Sequence, residues 1–386
     1  MSKIIHHHLD SQKFSATSWS GLYICLMFRL RSLQLFQFRN HAQVDLDFPE
    51  RITAIMGKNG SGKTGILDAI HFLSFTKSYF HHQDAQSVLH GQQGMRIDGR
   101  FIVNEEPQLL RLVLRENGKK EITLNQETVK KFSHHLGRFP VVFIAPDDTE
   151  LIHGGSELRR RFLDMCISQI DFSYTEFLMM YNKILQQRNA CLKTMSTSSS
   201  SMGNMLDVYD EQLSQYGQQI FEIRKSSIHL LSQYTGHRYD ALSNADEEVV
   251  LKYQSSLEHG GLLQQLRASR HKDCLLQRTS VGIHKDDLIF ELNQRPFKQV
   301  ASQGQKKSMI FALKWAQHQW LQEHTGKTPM LLLDDLFEKL DDKRSAQLID
   351  WILQTEAQVF LTDTHPDRVA DALKGAENNW GKIVFS

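Results

Sequence analysis

Residues 57–64 read Gly-Lys-Asn-Gly-Ser-Gly-Lys-Thr, the spacing G-x-x-x-x-G-K-[ST]. Glycines at these positions let the backbone N–H groups of Gly57, Lys58, Asn59, Gly60, Ser61 and Gly62 turn inward around phosphate oxygens. The helix that should start next adds the partial positive charge of its N-terminus. Lys63 would then reach the β- and γ-phosphates of a nucleotide, and the Thr64 hydroxyl would hold Mg²⁺. The surroundings suit this chemistry. The run RITAIMG before the loop reads as a buried strand, and Ile66, Leu67, Ile70 and Leu73 after it recur at helical spacing.

A second chemical group lies far downstream. Met330-Leu331-Leu332-Leu333 is an apolar run that ends in the acids Asp334 and Asp335. An aspartate at the carboxyl end of a buried strand sits where the Mg²⁺ of a phosphate site needs a carboxylate. Asp334 takes that role, and Asp335 is placed to orient or activate an attacking water. Thr64 and Asp334 are thus the expected metal residues, and Lys63, Asp334 and Asp335 the expected catalytic ones. About 270 residues separate the two motifs, far more than a compact nucleotide domain requires, so something large is inserted between them.

The elements that must position these residues follow from patterning. Val44, Leu46 and Phe48 alternate with polar residues, and QLLRLVLRENGKKEITLNQ reads as a hairpin turning at Asn117-Gly118. FPVVFIAPDD is a buried strand closed by a turn. From about Thr149 to residue 270 the pattern is mostly helical, broken by the Ser-rich STSSSSMGN, which reads as an exposed loop. Strand patterning returns at DDLIFEL, followed by the helix SMIFALKWAQHQWL and the strand AQVFLTDTH. Strands at both ends around a helical insertion imply one split α/β domain carrying a helical arm.

Bulk properties narrow the class. A chain of 386 residues can hold two domains and a substantial core. Lys+Arg 45 against Asp+Glu 44 leaves a net charge of +1, which neither demands nor excludes nucleic acid, since local patches decide binding. No apolar stretch of about 18 residues is present, so no membrane association is expected. Four scattered cysteines without a CxxC pair suit a reducing cytoplasmic compartment without structural zinc. Residues 1–26, with three consecutive histidines, read as an extension outside the fold, and Met27 as a candidate true start.

A nucleotide loop near the start, a strand ending in paired acids near the end, and a Ser-x-Gly-Gln segment just before it resemble the ATP-binding-cassette and SMC class. In that class a signature Ser and Gly of one subunit close over the γ-phosphate held by another. Ser302, Gln303, Gly304 and Gln305 would be that signature, with Gln303 where the class commonly has glycine. KLDDKR, containing Asp341, resembles the D-loop, and LTDTHPDR would supply the switch residue as Thr364 or His365.

The resemblance is closer still to the RecF family of bacterial recombination mediators. FRNH, PDDTELIHGGSELRRRFLDMCISQIDFSY, YNKILQQRNACLK, GIHKDDLIFEL, ASQGQKKSM and LLLDDLFEKLDDKR occur in that order and span nearly everything from Met27 to Ser386. Two positions depart from the family's GPHRDD element, Ile283 and Lys285, and Lys306 stands where arginine is common. The resemblance implies an ABC/SMC-like ATPase head split into residues 27–149 and 273–386, with an arm or lid over 150–272. It also implies ATP and Mg²⁺ as cofactors, Arg39 and Asn40 against the nucleotide, and weak DNA-stimulated ATP hydrolysis. ATP-dependent homodimerisation on gapped, single-stranded or junction DNA follows from it, with RecR and RecO as partners in gap repair, replication restart and SOS induction. The alternative is another ATPase of the class, such as a transporter's nucleotide-binding subunit. That reading predicts a shorter insert and a full glycine-pair signature. An SMC-related ATPase coupled to a nuclease would need an acid-rich domain for which no room remains after the switch strand.

Local basic groups offer candidate phosphate contacts: Arg159, Arg160 and Arg161; Lys119 and Lys120; Lys130 and Lys131; Arg267, Arg270 and Lys272. Short basic runs are also ordinary solvated faces, and both readings stand. Trp315 and Trp320 are expected in a core or interface, and His81 and His82 in a polar loop without metal.

Overall fold

The computed structural model describes residues 28–194, 200–243, 247–335, 342–376 and 379–385. The extension 1–26 and Asp341 lie outside the described residues. β1 (Phe28–Phe38), β2 (His41–Asp47) and β3 (Ile52–Gly57) lead into α1 (Lys63–Phe75). Then come β4 (Met95–Val103), β5 (Glu106–Leu114), β6 (Lys120–Leu124), β7 (Glu127–Thr128) and β8 (Val141–Ile144). The helices α2 (Glu150–His153), α3 (Ser156–Ser168), α4 (Phe172–Thr194) and α5 (Ser200–Leu242) follow. β9 (Val249–Gln254), α6 (Leu262–Leu276), β10 (Asp287–Leu292), β11 (Arg295–Pro296) and α7 (Phe297–Val300) precede α8 (Gln303–Thr325). The chain closes with β12 (Met330–Leu333), α9 (Asp342–Gln354), β13 (Val359–Asp363), α10 (Pro366–Ala372) and β14 (Trp380–Phe385).

Three sheets organise these elements. A parallel sheet has the order β14-β3-β13-β12-β8, and an antiparallel one the order β2-β1-β4-β5-β6-β7. A small third sheet, β11-β10-β9, joins the helices. Helix α1 lies between the two large sheets, so its residues are buried on every side and not only along the predicted stripe. The four residues of β12 are all buried for a related reason. Met330 and Leu332 face the α1 core, while Leu331 and Leu333 face the core built with α8, α9 and α10. A parallel sheet covered on both faces demands continuous apolar strands, and β3, β12 and β13 supply them.

Helices α3 to α6 share a separate core with β9, β10 and one side of α8. Met309, Ile310, Leu313 and Trp320 of α8 belong to that core, whereas Trp315 and Leu321 pack on the parallel sheet. One helix therefore bridges arm and head. Both tryptophans are buried, and Trp315 packs 5.1 Å from Trp351, as expected of core residues.

Two local readings need amending. The helix α5 already begins at Ser200, so the second half of the Ser-rich segment is helical; residues 195–199 lie outside the described residues. A strand, β9, interrupts the stretch expected to be mostly helical, because β10 needs a partner and Val249–Leu292 supplies the register.

Most of the basic groups are engaged internally. Arg159 pairs with Asp287 through two hydrogen bonds of 2.7 and 2.9 Å, Arg160 donates to the Asp286 carbonyl, and Arg161 donates to the Tyr79 carbonyl. Lys120 reaches Asp84, Lys119 lies by Glu121, Lys131 reaches Glu176, and Arg270 binds Asp207 and Asp210. These side chains hold the arm to the head or pair within one of the two.

Candidate functional site

Three adjacent parallel strands, β3, β13 and β12, end side by side, and the site is built at their carboxyl ends. The loop after β3 turns tightly, with Gly57, Gly60 and Gly62 all at positive φ. Gly62 is the position where the need for glycine is plainest. Its φ is +100°, and a Cβ there would lie 2.4 Å from the His41 ring. The Lys63 ammonium donates to the carbonyls of Gly57 at 2.8 Å and Lys58 at 3.0 Å, so it lies curled over the loop.

The acids meet the loop as the spacing predicts. Thr64 donates its hydroxyl proton to Asp334 Oδ1 at 2.9 Å, across 270 residues of sequence. Thr362, at the penultimate position of β13, donates to the same oxygen at 2.8 Å, and its hydroxyl accepts the Asp335 N–H at 2.8 Å. Asp335 takes a positive φ of 44°, which turns the chain sharply at the strand end. Burial pushes the Asp334 carboxyl up to about 6, and the Thr362 and Thr64 hydroxyls hold it from rising further.

The turn between β1 and β2 covers the loop from the other side. Asn40 Nδ2 donates to the Gly60 carbonyl at 3.3 Å and His41 Nε2 to the Gly62 carbonyl at 3.1 Å. Burial lowers the pKa of His41. Arg39 Nε lies 2.9 Å from Asp68 Oδ2 on α1, and its guanidinium sits over the Phe80 ring. Asp68 is fully buried, and desolvation raises its pKa against the opposing pull of Arg39.

At the end of β13 the two switch candidates stand together, Thr364 Oγ1 lying 2.8 Å from His365 Nδ1. The turn is fixed by Asp363, which accepts the His365 N–H at 2.7 Å and binds Arg368. Ser302, Gln303, Gly304 and Gln305 are placed elsewhere. They form the start of α8, where the Ser302 hydroxyl accepts from the Gln305 N–H at 3.2 Å and the Gln305 side chain accepts from the Ser302 N–H at 2.6 Å. This is a capping box, with Ser302 and Gln303 exposed. The hydrogen bonds described for these residues run within α8 and to Glu247, and none runs to the loop at 57–64.

The residues fit a nucleoside triphosphate with magnesium. Ser61 Oγ is buried without a hydrogen-bond partner, and Lys63 is satisfied by carbonyls that anionic oxygens can replace. Among the described residues no cluster of three or more His, Cys, Asp or Glu could hold a metal. Mg²⁺ at Thr64 and Asp334 would therefore take its other ligands from phosphate oxygens and water.

His41, Asp68 and Thr362 escaped the sequence reading. Thr362 had a signal: a lone hydroxyl inside the apolar central strand VFLTD. His41 is the last residue of the FRNH segment already singled out. The S-x-x-Q capping spacing at Ser302 was also visible.

The titration of Asp334 makes a prediction. Its folded pKa lies above its ordinary 3.8, so the stabilising proton is held at low pH and lost as pH rises through about 6. At neutral pH the fold carries a buried charge there. Asp334→Asn, whose Oδ1 can still accept from both hydroxyls, is expected to raise the melting temperature of the nucleotide-free protein at pH 8. The gain should shrink as pH falls through 6, while the stabilisation by Mg·ATP disappears. Thermal melts across that range, with and without Mg·ATP, read both effects.

Comparison with known proteins gives the family and the fold. The family model described as "RecF/RecN/SMC N terminal domain" matches residues 29–378. The "DNA replication and repair protein RecF" of Flavobacterium johnsoniae is 39% identical over 352 residues, 91% of this chain and 98% of the relative. That of Parabacteroides distasonis is 38% identical over 87% of this chain and 91% of the relative. Among solved structures, a "recombination mediator protein RecF-ATP in RecFOR pathway" superposes with TM-score 0.80, at 30% identity over 88% of this chain and 94% of that one. An Smc head domain from Pyrococcus furiosus gives TM-score 0.52 at 17% identity, a likeness of fold alone.

Proposed function

We propose the following role for this chain, which belongs to the RecF family of DNA replication and repair proteins: an ATP-dependent DNA clamp that works as a homodimer. The family fold is a split ABC/SMC-like ATPase head with an inserted helical arm. Similarity to RecF proteins runs through the arm segments as well as the head, so the transporter alternative falls away. Among the described residues no helix is long and apolar enough to cross a membrane.

ATP binding is assigned to Gly57–Thr64, with Lys63 on the β- and γ-phosphates, Asn40 bracing the loop and Arg39, held by Asp68 of α1, against the nucleotide. Mg²⁺, held by Thr64 and Asp334, would neutralise phosphate charge. Asp335 would orient the attacking water, with Thr364 or His365 beside it as the switch. The observation that carries the dimer is the capped start of α8. Ser302 and Gly304 stand at an exposed helix N-terminus, a ready anion site with no bond to this subunit's own phosphate loop. Such an end can close over a triphosphate held by a second copy. Hydrolysis would then release the pair. DNA at single-strand gaps or junctions, and the mediators RecR and RecO, are the proposed partners, with replication restart and SOS induction as the setting.

Retention on gapped duplex tests the reading. Wild-type chain is expected to stay on immobilised gapped DNA with Mg·ATP through a wash at about 0.15 M salt and to leave with Mg·ADP. Equal retention with both nucleotides would contradict an ATP-dependent clamp.

A further inference from the structure

The start of α8 is gripped from two sides, and the two grips lead to different parts of the molecule. On one side Gln305 Nε2 donates to Glu247 Oε1 at 2.8 Å, and Tyr239 of the arm helix α5 donates to Glu247 Oε2 at 2.7 Å. On the other side stands Arg344 of α9. Its Nε donates to Ser308 Oγ at 2.7 Å, and its guanidinium lies against Gly304. A Cβ on Gly304 would sit 3.1 Å from Nη2, 3.2 Å from Nη1 and 3.3 Å from Cζ. A Cβ on Gly304 would therefore press on the guanidinium, which would have to give by a few tenths of an ångström.

Arg344 follows Asp335 by nine positions in the chain, so the segment that leaves the metal-side acids ends on the helix that carries this arginine. We propose that Arg344 is the positioning residue for Ser302 and Gly304, the α8 end that each subunit offers to its partner's nucleotide. This inference rests on the dimer reading above. Arginine suits the task because a planar guanidinium can lie flat on a glycine while its Nε bonds a neighbouring hydroxyl, which a lysine ammonium cannot do.

The test uses the full-length chain with a fluorescent ATP analogue for binding and sedimentation for dimerisation. Arg344→Ala and Arg344→Lys are each expected to bind the analogue within about twofold of wild type. Both should raise the dimer dissociation constant about tenfold or more, on the scale of one lost charge-assisted hydrogen bond. Ser308→Ala should weaken dimerisation in the same direction, and adding it to Arg344→Ala should cost nothing more, since both remove one contact. Wild-type dimerisation in the lysine variant, or fully additive losses, would overturn the proposal. Loss of nucleotide binding together with dimerisation would also overturn it, because that is what general damage to the fold does. Failure of the dimer reading itself looks different: Ser302→Arg would then dimerise normally with ATP.

Discussion

Lys63→Met is expected to lower ATP affinity by at least about 100-fold and to abolish ATP-dependent dimerisation. Methionine keeps the length and the apolar stem of a buried side chain but carries no donor. The Lys63 ammonium now makes two hydrogen bonds, to the carbonyls of Gly57 and Lys58. With a triphosphate in the loop those donors turn to anionic oxygens, and charge-assisted bonds contribute about 1.5–3 kcal/mol each. Two of them account for at least about 100-fold in affinity. The fold should survive, since α1 is held between two sheets by Ile66, Leu67, Ile70 and Phe72. Titration with a fluorescent ATP analogue reads the first effect, and sizing with Mg·ATP reads the second. Normal dimerisation by the variant would remove nucleotide from the account.

Ser302→Arg is expected to leave ATP affinity within about twofold of wild type while removing ATP-dependent dimerisation and reducing hydrolysis at least tenfold. The substitution breaks the capping box, which costs about 1 kcal/mol of stability. Ser302 is exposed, so the loss stays local. At the face that would meet the partner's triphosphate, however, a long side chain replaces a hydroxyl and blocks close approach. Equal turnover by variant and wild type would mean that α8 offers nothing to a second subunit.

These two variants probe what the sequence made legible. The phosphate loop and the acids after β12 could be read because their chemistry is local: three positive-φ glycines, a buried strand on one side and a helix on the other. Their meeting across 270 residues needed only the rule that parallel strands present ligands at their carboxyl ends. What resisted reading was long-range pairing. Arg159 looked like part of a basic patch, yet its partner Asp287 lies 128 residues away, and nothing in RRR says so. Thr362 reaches Asp334 from a neighbouring strand whose register only the folded sheet defines. Arg344 was invisible for the same reason, since its role depends on α9 crossing α8 beside Gly304. Asp341, expected in the D-loop, lies outside the described residues.

The central claim is that each nucleotide is held by the loop of one copy and closed by α8 of the other. Native mass spectrometry on a mixture of the Lys63→Met and Ser302→Arg chains with Mg·ATP tests it most directly. One composite site survives in that mixture, the loop of the Ser302→Arg chain beneath the intact α8 end of the Lys63→Met chain. The account predicts a heterodimer carrying a single ATP, with neither variant dimerising alone. A mixture that stays monomeric, or a Ser302→Arg chain that forms its own ATP-loaded dimer, would contradict it.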